Sequence, residues 1–129
     1  RVLDGLDHPS GLVFSPDFKT LYVADRSAGT IFAFDVTSEG ELERKRVLAQ
    51  VGSRGMTVDR VGNIYVTWKD EVIAFSPEGT EVGRLRMPQR PTACEFVGTT
   101  LYITAGTSLY GVENCAIAGL ERYYSTREE

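Results

Sequence analysis

Few side chains in this sequence have the types and the spacing that catalysis requires. His8 is the only histidine, so a serine triad would have to use Ser10 or Ser53 beside it. Such a triad also needs a third group that orients the imidazole ring. Ser10 stands only two residues after His8, and the sequence contains no G-x-S-x-G elbow. We therefore interpret His8 as a solvated loop residue and expect no serine-based acyl transfer.

The two cysteines, Cys94 and Cys115, are 21 residues apart and form no C-x-x-C or Cys/His metal pattern. Cys94 lies in an apolar stretch, where a free cysteine behaves as a small hydrophobic residue. We interpret Cys94 as a buried thiol, with a disulfide and a catalytic thiol as the alternatives. This cysteine usage favours the reducing cytoplasm, and no other feature of the sequence identifies a compartment.

The composition is that of an ordinary folded protein and excludes two classes of partner. Apolar residues make up 42% of the 129 residues and charged residues 25%. The net charge of −4 and the pI near 5.1 argue against nucleic acid, which requires a basic surface. No apolar run approaches the roughly 18 residues that span a bilayer, so no membrane segment is predicted.

The elements that would position these side chains recur three times along the chain. A short strand with tyrosine second begins at Leu21, Ile64 and Leu101, and the tyrosines are 43 and then 37 residues apart. A period near forty with four short strands is typical of a β-propeller blade. The sequence therefore predicts an all-β protein with three four-stranded antiparallel blades, at approximately 9–51, 52–90 and 91–129. Residues 1–8 are interpreted as a remnant outer strand and a linker.

Within each repeat the strands become more polar from the first to the fourth. Nearly unbroken apolar runs in the first three strands predict that both of their faces are covered. Charges in the fourth strand suit an outer edge, where they oppose pairing with foreign strands. These fourth strands are predicted at 41–47, 84–87 and 120–124.

Up-and-down topology places the start of each first strand on the same side as the loop between the second and third strands. Ligand sites favour the channel mouth where such starts meet. The candidate ligand-binding residues on this side are Ser10, Asp25, Arg54, Trp68 and Thr92. For Trp68 the alternative is packing against the neighbouring blade.

Three motifs in order carry a resemblance to a known family. They are Pro9-Ser10-Gly11-Leu12-Val13-Phe14-Ser15-Pro16-Asp17, Arg54-Gly55-Met56, and Pro91-Thr92-Ala93-Cys94-Glu95-Phe96 with the strands that follow each. The chain resembles the C-terminal half of the gluconolactonase, senescence-marker-protein and luciferin-regenerating-enzyme family of six-bladed propellers. The resemblance implies that the three blades are half of a six-bladed propeller.

The resemblance also implies a divalent-metal-dependent hydrolase of sugar lactones or related esters, with calcium or a similar cation as cofactor. The family's metal ligands include an asparagine and an aspartate, and the corresponding positions here are Ser10 and Arg54. Calcium requires six to eight oxygen ligands, and a guanidinium cannot coordinate a cation. We therefore assign no metal ligand and expect a degenerate metal site. Arg54 would instead pair with Asp25 or bind an external anion.

Two functions follow as hypotheses. The first is the lactone or ester hydrolase, inactive if the metal site is lost. The alternative is a non-catalytic binding or assembly module whose channel mouth accepts an organic anion. In either case the missing half of the propeller would come from a second copy of the chain or from an absent N-terminal segment. In the second case residues 1–3 would be the outer strand of the preceding blade.

Overall fold

A computed structural model describes residues 3, 5–113 and 124–125 of the chain. The regular elements in this part are all strands, which confirms the predicted all-β class. They are β1 (Pro9–Phe14), β2 (Thr20–Asp25), β3 (Thr30–Val36), β4 (Leu42–Ala49), β5 (Met56–Val58), β6 (Ile64–Trp68), β7 (Glu71–Phe75), β8 (Glu81–Arg86), β9 (Pro91–Val97), β10 (Thr100–Ala105), β11 (Ser108–Val112) and β12 (Tyr124–Ser125). The described residues include no helix long and apolar enough to cross a bilayer.

The strands form three separate four-stranded sheets in up-and-down order, as propeller blades do. The first blade is β1-β2-β3-β4, the second is β5-β6-β7-β8, and the third is β9-β10-β11-β12. Every pairing is antiparallel. Turns with left-handed glycines join neighbouring strands, for example Gly62 between β5 and β6. The exact blade limits stay predictions.

Two hydrophobic cores hold the blades together, one at each interface. Between the first and second blades, Tyr22 and Ile31 pack with Ile64 and Ile73. Between the second and third blades the corresponding residues are Tyr65, Val72, Leu101 and Ile103. Each large apolar side chain that is fully buried in this way stabilises the fold by about 1.5–3 kcal/mol.

The repeated tyrosine shows which blade face has no neighbouring blade among the described residues. Tyr22 and Tyr65 point from the second strand of their blades into the next interface and are buried. Tyr102 holds the same position in the third blade but is 38% exposed. The face of the third blade on which it lies is therefore covered by none of the described residues.

The first blade is open on its other side at β1, where the prediction of two covered faces is wrong, whereas β2 is buried on both faces. Leu12 and Phe14 on β1 are 64% and 38% exposed. The physical reason is that the described residues provide no blade on this side. Leu6, in the segment before β1, packs against the small core of Leu21, Val23 and Phe34, as do Phe32, Val36 and Leu42 of the blade itself.

The fourth strands carry paired charges, as the edge interpretation predicts. Arg44 and Arg46 of β4 both contact Asp35, at 2.7 and 2.9 Å. Arg84 of β8 contacts Glu71 and Glu81, both at 2.7 Å. In the third blade β12 pairs with β11. Most of the predicted strand at 120–124, Cys115, and residues 1 and 2 of the predicted remnant strand lie outside the described residues.

Candidate functional site

The starts of the three inner strands, β1, β5 and β9, lie against one another. The Ser10 hydroxyl of β1 donates a hydrogen bond of 2.9 Å to the carbonyl oxygen of Ser53, just before β5. On the other side of this segment the backbones almost touch, since a β-carbon at Gly55 would lie 2.8 Å from the Cα of Ala93 and 2.9 Å from the Thr92 oxygen. Only glycine permits this approach. The sequence thus brings the axial ends of the inner strands together.

A small pocket, called here the mouth pocket, opens on this side of the blades. Its volume is about 150 Å³. It receives residues from the β2–β3 turn, from the segments before β5 and β9, and from the end of β6 with its turn. The lining residues are Arg26, Gly52, Ser53, Arg54, Thr67, Trp68, Lys69, Arg90 and Pro91. Four of them are cations, and none is an aspartate, glutamate or histidine.

Arg54 lies in the mouth pocket and not in an ion pair. Asp25, the partner that we expected, makes no salt bridge with it, and no other described carboxylate lies within ion-pair distance of Arg54. The predicted ion pair is therefore wrong. The reason is that Asp25 is already satisfied by backbone donors, so an exposed arginine has no advantage there.

Asp25 is a buried structural residue. Its carboxylate accepts hydrogen bonds from the backbone N–H groups of Asp7 at 2.6 Å, His8 at 2.8 Å and Ala28 at 3.2 Å. Burial raises its pKa, but these three bonds lower it by more, so the net pKa is below the ordinary value. Asp25 therefore ties the segment before β1 to the β2–β3 turn, and it does not line the mouth pocket.

Two other candidates, Ser10 and Thr92, also lie outside the lining of the mouth pocket. The Ser10 hydroxyl is used by the Ser53 carbonyl, and the Thr92 hydroxyl contacts Thr104 Oγ1 at 3.0 Å. The His8 side chain is exposed, in keeping with a loop residue. The use of Ser10 and Thr92 in ligand binding stays a prediction.

Trp68 has both of the roles that the sequence left open. Its ring packs against the core between the first and second blades and also forms part of the pocket wall. The ammonium group of Lys69 lies 4.4 Å from the centre of this ring, a cation–π arrangement. Lys69 itself has a left-handed backbone with φ of 55°, which is uncommon for a residue with a β-carbon.

Sequence reasoning missed three of the four cations of the mouth pocket as individual site residues. Arg26, Lys69 and Arg90 each follow or precede a strand on the predicted mouth side. That position was the available signal, but a single exposed arginine in a turn is unremarkable in a sequence. Only the meeting of three separate segments makes them a cluster.

Cys94 is buried on β9, as predicted, and its thiol lies 3.8 Å from the Tyr65 carbonyl oxygen across the blade interface. Burial, with a smaller contribution from the nearby Glu95 carboxylate, raises the pKa of this thiol to about 12. A thiol with such a pKa is protonated at neutral pH and is a poor nucleophile.

A divalent cation does not fit the residues described at the inner-strand starts. The Ser10 hydroxyl is engaged with a carbonyl, and Arg54 brings a positive charge that repels a cation. Among the described residues there is also no group of three or more histidine, cysteine, aspartate or glutamate side chains that could hold a metal. The oxygen-rich, negatively charged environment that calcium requires is missing here.

Three consecutive four-stranded blades, whose inner strands meet at a ligand-accessible mouth, define a part of a β-propeller. The chain belongs to the SMP-30/gluconolactonase/LRE-like family, whose profile matches residues 1–107.

Known relatives agree with this membership. A gluconolactonase from Zymomonas mobilis is 29% identical over 125 residues, which cover 84% of this chain and 35% of the relative. The solved gluconolactonase from Xanthomonas campestris is 34% identical with a TM-score of 0.76, over 83% of this chain and 38% of that one. The chain thus spans little more than a third of the length of these relatives.

A third similarity concerns the fold alone. Regucalcin from Agrobacterium tumefaciens, described as a calcium-binding protein, is 21% identical with a TM-score of 0.70. The match covers 80% of this chain and 39% of regucalcin.

Proposed function

We propose that the protein takes part in the hydrolysis of a sugar lactone or a related ester, with the substrate bound at the mouth pocket. The observation that carries this proposal is the family match over residues 1–107. The relative from Zymomonas mobilis that carries the name gluconolactonase supports the same substrate class. A sugar lactone is a cyclic ester, and its hydrolysis releases a carboxylate.

The chemistry of the mouth pocket suits the charge that this reaction develops. When water attacks the ester carbonyl, negative charge builds up on the carbonyl oxygen, and fixed cations or donors stabilise it. The guanidinium of Arg54 and the ammonium of Lys69 are such groups, and a guanidinium also binds the carboxylate product with two parallel hydrogen bonds. Substrate orientation and charge stabilisation are therefore the parts that we assign to these residues.

Activation of water requires a further group. No histidine or carboxylate lines the mouth pocket, and the residues at the inner-strand starts do not fit the family's divalent cation. In this proposal the activating group therefore comes from residues outside those described at the pocket.

The two open blade faces lead to a proposal about assembly. The open face of the first blade is apolar at Leu12 and Phe14, and that of the third blade carries Tyr102. Exposed apolar faces of this kind mark interaction sites. We propose that further propeller blades cover both faces, from a second copy of this chain or from a longer polypeptide. Light scattering on the purified protein distinguishes a particle of the 14.2 kDa chain mass from one of twice that mass.

Titration of acid release from glucono-1,5-lactone at constant pH tests the hydrolase proposal. The purified protein should accelerate acid release above the spontaneous rate, and we expect Arg54→Gln to lower this acceleration by at least about tenfold. Arg60→Gln, an exposed arginine in the turn between β5 and β6, is the matched control and should retain the parent rate. A parent rate equal to that of buffer, with calcium, magnesium and manganese each supplied, would contradict the proposal.

The cationic lining of the mouth pocket favours a second candidate, a propeller module that binds an organic anion without turning it over. Calorimetry with gluconate separates the two candidates. Binding of gluconate together with a lactone hydrolysis rate equal to that of buffer would support the binding module.

A further inference from the structure

We infer that the mouth pocket is a binding site for the doubly charged phosphate group of a small molecule. This inference goes beyond lactone hydrolysis, because it concerns a charged group that a simple sugar lactone lacks. It holds whether or not the protein turns over a lactone. It rests on the charge, the size and the donor set of the mouth pocket.

The charge of the mouth pocket is opposite to that of the whole chain. The chain has a formal net charge of −4, yet Arg26, Arg54, Lys69 and Arg90 meet at one pocket without a lining carboxylate. None of the four forms a salt bridge with a described acidic residue. Such a grouping of like charges focuses a positive potential in the concave surface, and an anion relieves the repulsion among the cations.

The arginines of the outer strands show a contrast, although Arg60, in the turn between β5 and β6, also lacks an ion pair with the described carboxylates. Arg44, Arg46, Arg84 and Arg86 on the outer strands each contact a carboxylate at 2.7–3.1 Å. The fold therefore pairs its arginines where their role is to protect an edge. At the mouth it leaves three arginines available to a ligand, together with Lys69, whose charge interacts with the neighbouring Asp70 carboxylate.

The size of the mouth pocket indicates how much of a ligand it holds. Its volume of about 150 Å³ is below the roughly 300–1,000 Å³ of pockets that enclose a whole drug-sized ligand. A phosphate group is compact enough for such a space, and the remainder of the molecule would extend out of the pocket. The part of the ligand that the pocket encloses is therefore a charged group, and a sugar ring attached to that group would lie at the pocket opening.

The two hydroxyl groups of the mouth pocket already make hydrogen bonds within the fold. The Ser53 hydroxyl donates to the Gly55 carbonyl at 2.8 Å, and the Thr67 hydroxyl accepts from the Gly55 N–H at 3.0 Å. Apart from the indole N–H of Trp68, the side-chain donors left for a ligand are thus the charged ones. Arginine forks bind phosphate oxygens in pairs and lysine acts as a point charge, so the site should prefer a dianion to a monocarboxylate or a neutral sugar.

The turn between β6 and β7 contributes to the same site through the place that it gives to the Lys69 ammonium group. The φ of Lys69, 55°, lies in the left-handed region, where glycine, asparagine or aspartate is less strained. The residue at this turn is nevertheless a lysine, and the ammonium group lies over Trp68 at the wall of the pocket. Phe18 and Arg44 have the same type of backbone away from the mouth pocket, so the conformation is that of a tight turn, and what matters for the site is the position of the ammonium group.

Isothermal titration calorimetry with four probes tests the inference: glucose 6-phosphate, inorganic phosphate, gluconate and glucose. We expect the two phosphate compounds to bind at least about tenfold more tightly than gluconate, and glucose not to bind. Arg54→Asp should weaken the binding of glucose 6-phosphate by at least about tenfold, the equivalent of about 1.4 kcal/mol. Absence of measurable phosphate binding to the parent protein, or equal affinity for gluconate, would overturn the inference.

Arg60→Asp is the matched control, because it changes the net charge by the same amount in the turn at the opposite ends of β5 and β6. Its affinity for glucose 6-phosphate should stay within about threefold of the parent's, since a distant exposed charge is screened. Equal losses in both variants would mean that only the overall charge matters, and the site would be refuted. If Arg54→Asp fails to fold by circular dichroism, Arg54→Gln replaces it with the same criterion. The lactone assay is read separately, so its failure leaves this result unaffected.

Discussion

Replacing Gly55 by alanine should separate the second and third blades at their axial ends. The new β-carbon would lie 2.8 Å from the Cα of Ala93 and 2.9 Å from the carbonyl oxygen of Thr92. Non-bonded carbon atoms rest about 3.5–4.0 Å apart, so the two backbones must move apart by roughly 0.7–1.2 Å. Both neighbours are backbone atoms within β9, which cannot rotate away as a flexible side chain can.

The expected cost is that of overpacking a well-filled interface, about 1–3 kcal/mol of unfolding free energy. Gly52→Ala is the matched control. A β-carbon at Gly52 would meet its nearest atom, the Arg26 oxygen, at 3.6 Å, which is an ordinary contact. Neither glycine has a positive φ, so the entropic effect of alanine on the unfolded chain applies to both and cancels in the comparison.

Thermal and urea unfolding followed by circular dichroism measure the difference. For a domain of this size about 1 kcal/mol corresponds to a shift of about 3–6 °C, so Gly55→Ala should melt several degrees below Gly52→Ala. Because Arg54 directly precedes Gly55, the same variant should also bind glucose 6-phosphate more weakly. If the two alanine variants melted within about 1 °C of each other, the close approach of β5 and β9 would be refuted.

Three further predictions concern Asp25, Cys94 and the pair of positions 10 and 54. Asp25→Asn should lower the melting temperature at neutral pH and flatten its decline in acid. The pKa of Asp25 is below its ordinary value of 3.8. The carboxylate therefore contributes its full stabilisation above pH 3.8, and this stabilisation disappears as the pH falls through the folded-state pKa. Melting curves from about pH 6 to pH 2 measure this, and an equal decline of the melting temperature in parent and variant would contradict it. The Cys94 thiol should resist iodoacetamide at pH 8 until the protein unfolds, because a pKa of about 12 in place of 9.0 leaves about a thousandfold less thiolate. Mass spectrometry of the Cys94 peptide measures the labelling, and rapid labelling of the native protein would refute the buried, protonated thiol. The double variant Ser10→Asn with Arg54→Asp should bind calcium at least about tenfold more tightly than the control double variant Ser10→Asn with Arg60→Asp. Calorimetry measures both affinities. Equal affinities would mean that positions 10 and 54 do not face one cation site.

The strand pattern, the three repeats and the charged outer edges were all predictable from the sequence. Alternation of apolar residues, glycine-containing turns and charge placement act over a few residues, so they can be seen in the sequence without the fold. The burial of Cys94 followed in the same way, because it lies in an inner strand of a recognisable repeat. The resemblance carried by the Pro9–Asp17 and Arg54–Met56 motifs was confirmed by the family match over residues 1–107.

Only the tertiary structure decided which residues form the site. The sequence suggested that Asp25 would pair with Arg54, but three backbone N–H groups brought in by chain folding satisfy that carboxylate instead. Arg26, Lys69 and Arg90 come from separate turns, and their meeting at one pocket depends on how the three described blades pack against one another. Blade packing arises from contacts between residues about forty positions apart, and a local pattern contains no information about those distances. The sequence by itself therefore determined the blades, and the packing of the blades determined the charge of the mouth.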